Sequence, residues 1–299
     1  MQDNIANSNL LLKIDNLIEG IVIKRPSKII KTPYVADIQI QNDIEINREI
    51  LGHTASLGCC GLADAGARVL IAPVPKTKQH KKDEEKIKCE YRVYLSIFTE
   101  KGCEIIIGIY PKLAENIVES ALNKNLFTNL RNIRSYRRET AIYVENKVDS
   151  RFDFSGIDEN GISFLMEVKN VPLADYEDIT AKDRKKKCYD NEEIDSKVAY
   201  FPDGYRKKST DTVSPRALKH IKELTLIKSE SKTRCIMCYV VQRTDANRFQ
   251  PSIIDPEYRE AVKNALDVGV EIIVMVVRWT REGEAYFVRD DLPITSFDF

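Results

Sequence analysis

The chain has 299 residues, 43% of them hydrophobic and 31% charged, the balance of a folded globular protein with length enough for two domains. Its 46 basic and 46 acidic residues cancel, which excludes a protein held to nucleic acid by bulk charge and leaves only local patches for that purpose. Seven cysteines without a repeated spacing exclude a disulfide framework, and no apolar run is long enough to span a bilayer. An intracellular protein, cytoplasmic or else nuclear or nucleoid-associated, not secreted and with no membrane partner, is the expectation.

Residues 1–16 read as a polar tail. From 17 to 88 the apolar segments are short and β-like: Gly20 to Ile23, Val35 to Ile40 and Arg68 to Ala72, separated by turns bearing Pro and Gly. With no amphipathic helix between them, a small antiparallel barrel is predicted. Lys24, Arg25, Lys28 and Lys31 interleave with Ile and Tyr34, as in a nucleic-acid groove or a solvated edge strand. His53 opens a glycine-bearing loop with no partner at metal-ligand spacing. The lysine-rich run from Lys76 to Lys88 closes this region as a loop or phosphate-contacting arm, and the domain boundary is placed at its end.

Residues 89–299 change character. Strands Tyr91 to Phe98 and Glu104 to Tyr110 precede a helix over Pro111 to Lys124, with Ala114, Ile117, Val118, Ala121 and Leu122 at helical spacing. Arg131, Arg134, Arg137 and Arg138 follow as the densest local candidate for a phosphate-facing patch. Then come Ser150-Arg151-Phe152-Asp153-Phe154 and Phe164-Leu165-Met166-Glu167-Val168-Lys169, two apolar runs around the turn-forming Asp158-Glu159-Asn160-Gly161.

Register decides what that hairpin can do, because a slip of one residue reverses every side chain. A three-residue loop of Glu159, Asn160 and Gly161, with Gly161 left-handed, sets Asp153 opposite Glu167 and gathers Phe152, Phe154, Phe164, Met166 and Val168 on the other face. A two-residue Asn160-Gly161 loop pairs Asp153 with Val168 and mixes polar with apolar, so the first register is predicted. Lys169 then points the way Glu167 does. Two carboxylates and a lysine on one face suit Mg²⁺ or Mn²⁺ and a phosphate, although the pattern by itself is more often an ordinary cross-strand charge cluster.

Downstream, the charged stretch from Asp178 to Lys197 reads as a surface insertion. Ser214-Pro215 starts a helix with Ala217, Leu218, Ile221 and Leu224 inward, and Asp255-Pro256 starts another that Gly269 closes. Cys235 and Cys238 form a C-x-x-C inside a buried strand; three apart on a strand, they face opposite ways and read as core thiols. From 111 onward the order of elements gives an α/β domain with a mixed sheet.

In their order, Ser150-Arg-Phe-Asp-Phe154, Glu167-Val-Lys-Asn-Val-Pro-Leu173, Phe201-Pro-Asp203, Lys219-His-Ile-Lys-Glu-Leu224, Val241-Gln-Arg243 and Asp255-Pro256 resemble the sugar fermentation stimulation protein (SfsA) family across nearly the whole chain. The resemblance implies an OB-like barrel followed by a PD-(D/E)XK nuclease-like domain, DNA rather than RNA as partner, and Mg²⁺- or Mn²⁺-dependent cleavage of phosphodiester bonds. It places Asp153 and Glu167 as metal carboxylates and Lys169 as the motif lysine. Glu139 matches an acid that precedes the Ser-Arg-x-Asp piece and Gln242 a glutamine ending a later strand; both are carried as catalytic. His220 matches the histidine of the family's Lys-His-Leu helix and is counted among the nucleic-acid contacts. Where family members follow the histidine matching His53 with Pro-Asn-Thr-Gly-Arg, this chain has Thr-Ala-Ser-Leu-Gly, and Arg216-Ala217 replaces an Arg-Gly. The alternative is a DNA-binding or regulatory protein that keeps the nuclease fold without turnover. The oligomeric state is left open, a homodimer included.

Overall fold

A computed structural model describes residues 9–41, 48–54, 61–74, 89–184, 186–202, 212–295 and 297. The lysine-rich run at 76–88, most of the loop after His53, and Asp203 therefore lie outside the described residues.

The N-terminal unit is an antiparallel sheet in the order β4-β3-β2-β5-β6-β7, made of β2 (Ile18–Lys24), β3 (Val35–Ile40), β4 (Glu49–His53), β5 (Arg68–Pro73), β6 (Tyr91–Glu100) and β7 (Cys103–Gly108). A parallel pairing of β4 with β6 at Gly52↔Tyr91 and His53↔Arg92 turns it ring-like around Val22, Ile38, Ile71, Val93 and Ile107. The boundary expected at 88 is corrected by this pairing. β6 hydrogen-bonds to β5 over Tyr91 to Ile97 and carries β7 on its other edge, so the sheet runs to Gly108. Residues 10–13 are no free tail either, since β1 (Leu10–Lys13) pairs with β16 (Glu284–Arg289).

The C-terminal sheet has seven strands in the order β1-β16-β15-β13-β10-β9-β8. Its new members are β8 (Ser135–Val144), β9 (Val148–Ile157), β10 (Ser163–Val171), β13 (Arg234–Val241) and β15 (Glu271–Trp279). β10, β13 and β15 run parallel and the other pairs antiparallel, giving the mixed sheet expected. α1 (Lys112–Asn123) covers one face, while α3 (Pro215–Glu230) and α4 (Pro256–Asp267) cover the other. β13 shows why its sequence is an unbroken apolar run: Ile236, Cys238 and Val240 join the α1 core while Cys235, Met237, Tyr239 and Val241 join the α3/α4 core. Each such side chain contributes roughly 1.5–3 kcal/mol by leaving water. The two cysteines face opposite ways, as their spacing requires, and burial pushes the Cys235 thiol up to about 11. Ser214 and Asp255 cap α3 and α4 through the N–H groups of Ala217 and Tyr258, as read from the sequence.

The α1 core also takes in Leu70, Leu95, Ile97 and Ile106 of the N-terminal sheet, so the two sheets share one apolar interior. At their junction a Cβ added to Gly108 would come within 2.4 Å of Gln242 Oε1 and 2.6 Å of Trp279 Nε1, a close approach only glycine allows. The charged stretch at 178–197, expected as an insertion, is instead tied in. Asp178 is buried and accepts from Gln250, Ser252 and the Ile253 amide, and α2 (Ala181–Arg184) packs the Arg184 guanidinium 4.3 Å from the Tyr189 ring centre. Lys197, 2% exposed, starts β12 (Lys197–Phe201), which lies between β11 (Ala174–Asp175) and β14 (Ala246–Pro251) in a third sheet.

Candidate active site

The hairpin of β9 and β10 has the register that hydrophobic sorting selects. Ser163 pairs with Ile157, Phe164 with Gly156, Leu165 with Ser155 and Met166 with Phe154. The turn closes through Asp158 N–H to Ile162 O at 2.9 Å, with Gly161 at φ +82°. Asp158 holds it further: its Oδ1 accepts the Asn160 and Ile162 amides, and its Oδ2 meets Arg234 at 3.0 Å. One step beyond Met166↔Phe154 this register brings Glu167 opposite Asp153, and there the ladder stops.

The stop is the structural device of the site. On the other edge of β9 the ladder to β8 also skips the pair of Glu139 and Asp153, and Glu139 has φ +51°. The register is the same on both sides of the gap, so one residue of each strand leaves the ladder together and neither strand gains on the other. One expectation is corrected here: Phe152 does not share a face with Phe154. Phe152 belongs to the α3/α4 core, with its ring 5.9 Å from that of His220, whereas Phe154, Phe164, Met166 and Val168 pack in the α1 core. The split frees the Val168 N–H, and Asp153 Oδ2 accepts it at 2.7 Å.

Glu167 is almost wholly buried, 2% exposed. Its Oε1 receives both the Lys169 ammonium and His220 Nδ1, while its Oε2 is buried without a hydrogen-bond partner. Burial pushes the Glu167 carboxyl up, but Lys169 and His220 together hold it below the usual carboxylate range. Asp153 goes the other way. Burial, and next the Glu167 charge, push it up to about 7, against the weaker opposing effects of the Val168 amide and Lys169. One carboxylate is thus fixed and charged while its neighbour is reluctant to ionise beside it.

Glu115, on the first turn of α1, adds to the negative field on Asp153 and pairs with Arg138 Nη2 at 2.9 Å. The sequence gives it only as an acid at a helix start, which any helix favours. Its position near the pair depends on the packing of α1 against the sheet.

The remaining sequence candidates are placed as follows. Glu139 stands at the skipped pair, exposed and paired with Arg151 at 3.2 Å. Gln242 is fully buried away from the carboxylates' hydrogen bonds: its Oε1 accepts from Trp279 Nε1 at 2.7 Å and its Nε2 donates to Asn170 at 2.8 Å. It therefore ties the end of β13 to β15 and β10. His220, 4% exposed and bound to Glu167, is corrected from a nucleic-acid contact to a buried partner of the site. Arg138 pairs with Glu115 and Glu119 and donates to Asn116; Arg134 and Arg131 donate to the Glu159 and Phe127 carbonyls but are exposed and keep their charge, and Arg137 is exposed too. In the other basic strip Arg25 is held by the Pro33 carbonyl and Asp64, and Lys28 lies 3.5 Å from Glu49, while Lys24 and Lys31 are exposed. Among the described residues no helix is long and apolar enough to cross a membrane.

The Asp153 shift has a measurable consequence in metal-free protein. A carboxyl whose folded pKa is raised to about 7 contributes fully below its unfolded value near 4, and that contribution is lost as pH rises through 7. Asp153→Asn cannot ionise. In EDTA it is expected to melt close to the wild type at about pH 4 and increasingly above it up to about pH 8, and an equal difference at both pH values would contradict the raised pKa.

The fold and site together define a class: an antiparallel ring-like sheet fused to a mixed α/β domain, with two carboxylates and a lysine at a split hairpin. The family model for the sugar fermentation stimulation protein RE domain matches residues 112–183 and 186–283, running through most of the stretch that had looked like an insertion. A sugar fermentation stimulation protein homolog of Jannaschia sp. (strain CCS1) is 32% identical over 80% of this chain and 83% of its own length. One of Desulforamulus reducens is 27% identical over 90% and 89%. The chain belongs to the SfsA family. Its fold is also that of Pyrococcus furiosus SfsA, solved in complex with Ca²⁺, with a TM-score of 0.69, 20% identity, and coverage of 96% of this chain and 99% of that one.

Proposed function

We propose that this protein is a divalent-metal-dependent nuclease that hydrolyses phosphodiester bonds in DNA. The observation that carries the proposal is the buried, unpartnered Oε2 of Glu167 beside an Asp153 that resists ionising. An orphaned buried carboxylate oxygen is costly, and a cation held between the two groups would satisfy one and restore the charge of the other. Among the described residues no group of three or more His, Cys, Asp and Glu side chains is placed to hold a metal ion, so a site here would rest on two carboxylates. Two carboxylates with the remaining positions left to substrate and solvent is how Mg²⁺ is commonly held. The Ca²⁺ in the P. furiosus relative, a hard oxygen-seeking cation, supports the same choice.

When bound, such a cation would polarise a phosphate oxygen and ease ionisation of water. The chain's own part is positional and electrostatic. Asp153 and Glu167 would bind the ion from two strands that part where the ladder between them ends. Lys169, its side chain 12% exposed, keeps its ammonium on Glu167 yet open to an incoming phosphate, where it would offset charge gained in the transition state. Arg131, Arg134, Arg137, Lys24 and Lys31 are exposed cations of the two basic strips suited to sequence-independent phosphate contact.

Ligand linkage tests the metal half of this reading. Mg²⁺ at a hundred times its Kd should stabilise the folded wild type by about 2.7 kcal/mol. The same addition should shift the melting temperature of Asp153→Asn much less. Equal shifts in the two proteins would mean that the ion binds elsewhere.

A further inference from the structure

α3 does more than cover the sheet. Three residues on one of its faces grip the two strands that carry the carboxylates. Lys219 donates to the Asp149 carbonyl and Glu223 Oε1 accepts the Asp149 N–H at 3.0 Å, fixing β9 four residues before Asp153. His220 reaches the other strand, with Nδ1 2.5 Å from Glu167 Oε1. A charged carboxylate only accepts, so Nδ1 carries the proton and donates. The Phe152 ring, 5.9 Å away, bears on the imidazole from β9, and the histidine is buried at 4% exposure.

The asymmetry at Glu167 is the informative feature. Its two oxygens are chemically equivalent, yet both donors, Lys169 and His220, sit on Oε1 and leave Oε2 bare. A carboxylate tethered by one oxygen has its rotamer fixed, and its second oxygen is presented in one direction. Lys169 alone would do this loosely, being a flexible chain on the same strand two residues away. An imidazole anchored on a separate helix and backed by Phe152 would do it firmly.

We propose that His220 is a positioning residue, donating from Nδ1 to Glu167 Oε1 so that Oε2 is held bare for a divalent cation. The proposal rests on the metal-dependent reading of the carboxylate pair, and the test separates the two. Mn²⁺ binding to the full-length chain is measured by calorimetry, without substrate, for the wild type, Glu167→Gln, His220→Phe and His220→Asn. Phe keeps a ring against Phe152 and removes the donor, whereas Asn puts an amide N–H close to where Nδ1 stands.

His220→Phe should bind Mn²⁺ about 10- to 100-fold more weakly, the usual loss when a partner behind a metal ligand is removed. His220→Asn should stay near the wild type, a rescue that mere packing would not give. If His220→Phe does not fold, His220→Gln takes its place, with its amide carried one bond too far, and should show the same loss. Wild-type affinity in the donor-free or misplaced-donor variant, with Glu167→Gln weakened, would overturn the positioning role while leaving the metal site intact. So would a folded His220→Asn as weak as His220→Phe. No Mn²⁺ binding by the wild type would overturn the metal reading itself. Lys222→Ala, on the exposed side of α3 where Lys222 meets Glu257 at 2.8 Å, serves as the control and should not change the affinity.

Discussion

Lys169→Met is expected to lower the rate of DNA cleavage about a hundredfold to a thousandfold, the usual cost of removing a preorganised group that stabilises transition-state charge. The fold should survive. The lysine lies at the margin of the site, with only its ammonium in a polar contact, and Met keeps most of its length and apolar surface. Glu167 would still be held through His220, so the variant should continue to bind metal and DNA while failing in chemistry. Lys182→Met is the matched control, an exposed lysine in the 178–197 stretch whose loss should change nothing. Steady-state and single-turnover cleavage by both variants decides the matter, and a Lys169→Met protein that cleaves at the wild-type rate would remove the assignment of this site.

The largest effect on stability is expected far from the carboxylates, from Asp245→Ala. Asp245 is buried and takes both Nε and Nη2 of Arg243 at 2.6 Å and the Lys197 ammonium at 2.6 Å. Lys197 also meets Glu100 of β6 at 2.6 Å, and both cations stand just over 5 Å from the Phe98 ring centre. This cluster joins the N-terminal sheet, the three-stranded sheet and the end of β13. Removing the shared anion leaves two buried cations short of charge, a change that costs about 3–5 kcal/mol where one partner of a buried pair is lost. Urea titration should show the midpoint fall accordingly. Burial pushes the Asp245 carboxyl up, but Arg243 and Lys197 outweigh it and hold the group below its usual range. The cluster's contribution is therefore complete at neutral pH and is lost as pH falls through the depressed folded value, so the gap between variant and wild type should narrow in acid.

What was legible in the sequence, and what was not, divides along the reach of the forces involved. The register of β9 and β10 follows from local chemistry, a left-handed Gly161 and the sorting of Phe154, Phe164 and Met166 onto one face. The caps at Ser214 and Asp255 are local in the same way, and so is the two-faced burial of β13. The change of face between Phe152 and Phe154 was not legible, because the break in the ladder at Glu139 and Asp153 is set by the neighbouring strands and leaves no composition mark. Nor was the extent of the N-terminal sheet: β6 and β7 follow a long charged run that resembles a linker, yet β6 pairs with both β5 and β4 and carries β7. Gln242 and His220 exchanged positions relative to expectation for a similar reason. Each is a polar residue beside an apolar run, and only packing sends one to Trp279 and the other to Glu167. Glu115 and the Lys197–Asp245–Arg243 cluster depend on contacts far apart in the chain and had no signal at all.

Incubation of the wild-type protein with end-labelled single- and double-stranded DNA, in parallel with Mg²⁺, Mn²⁺ or EDTA, tests the central claim most directly. Cleavage is expected with either metal, none in EDTA, and none with Glu167→Gln under any condition. Intact DNA with every divalent metal, from a protein that nonetheless binds it, would contradict the nuclease assignment and leave a binding protein built on a nuclease-like fold.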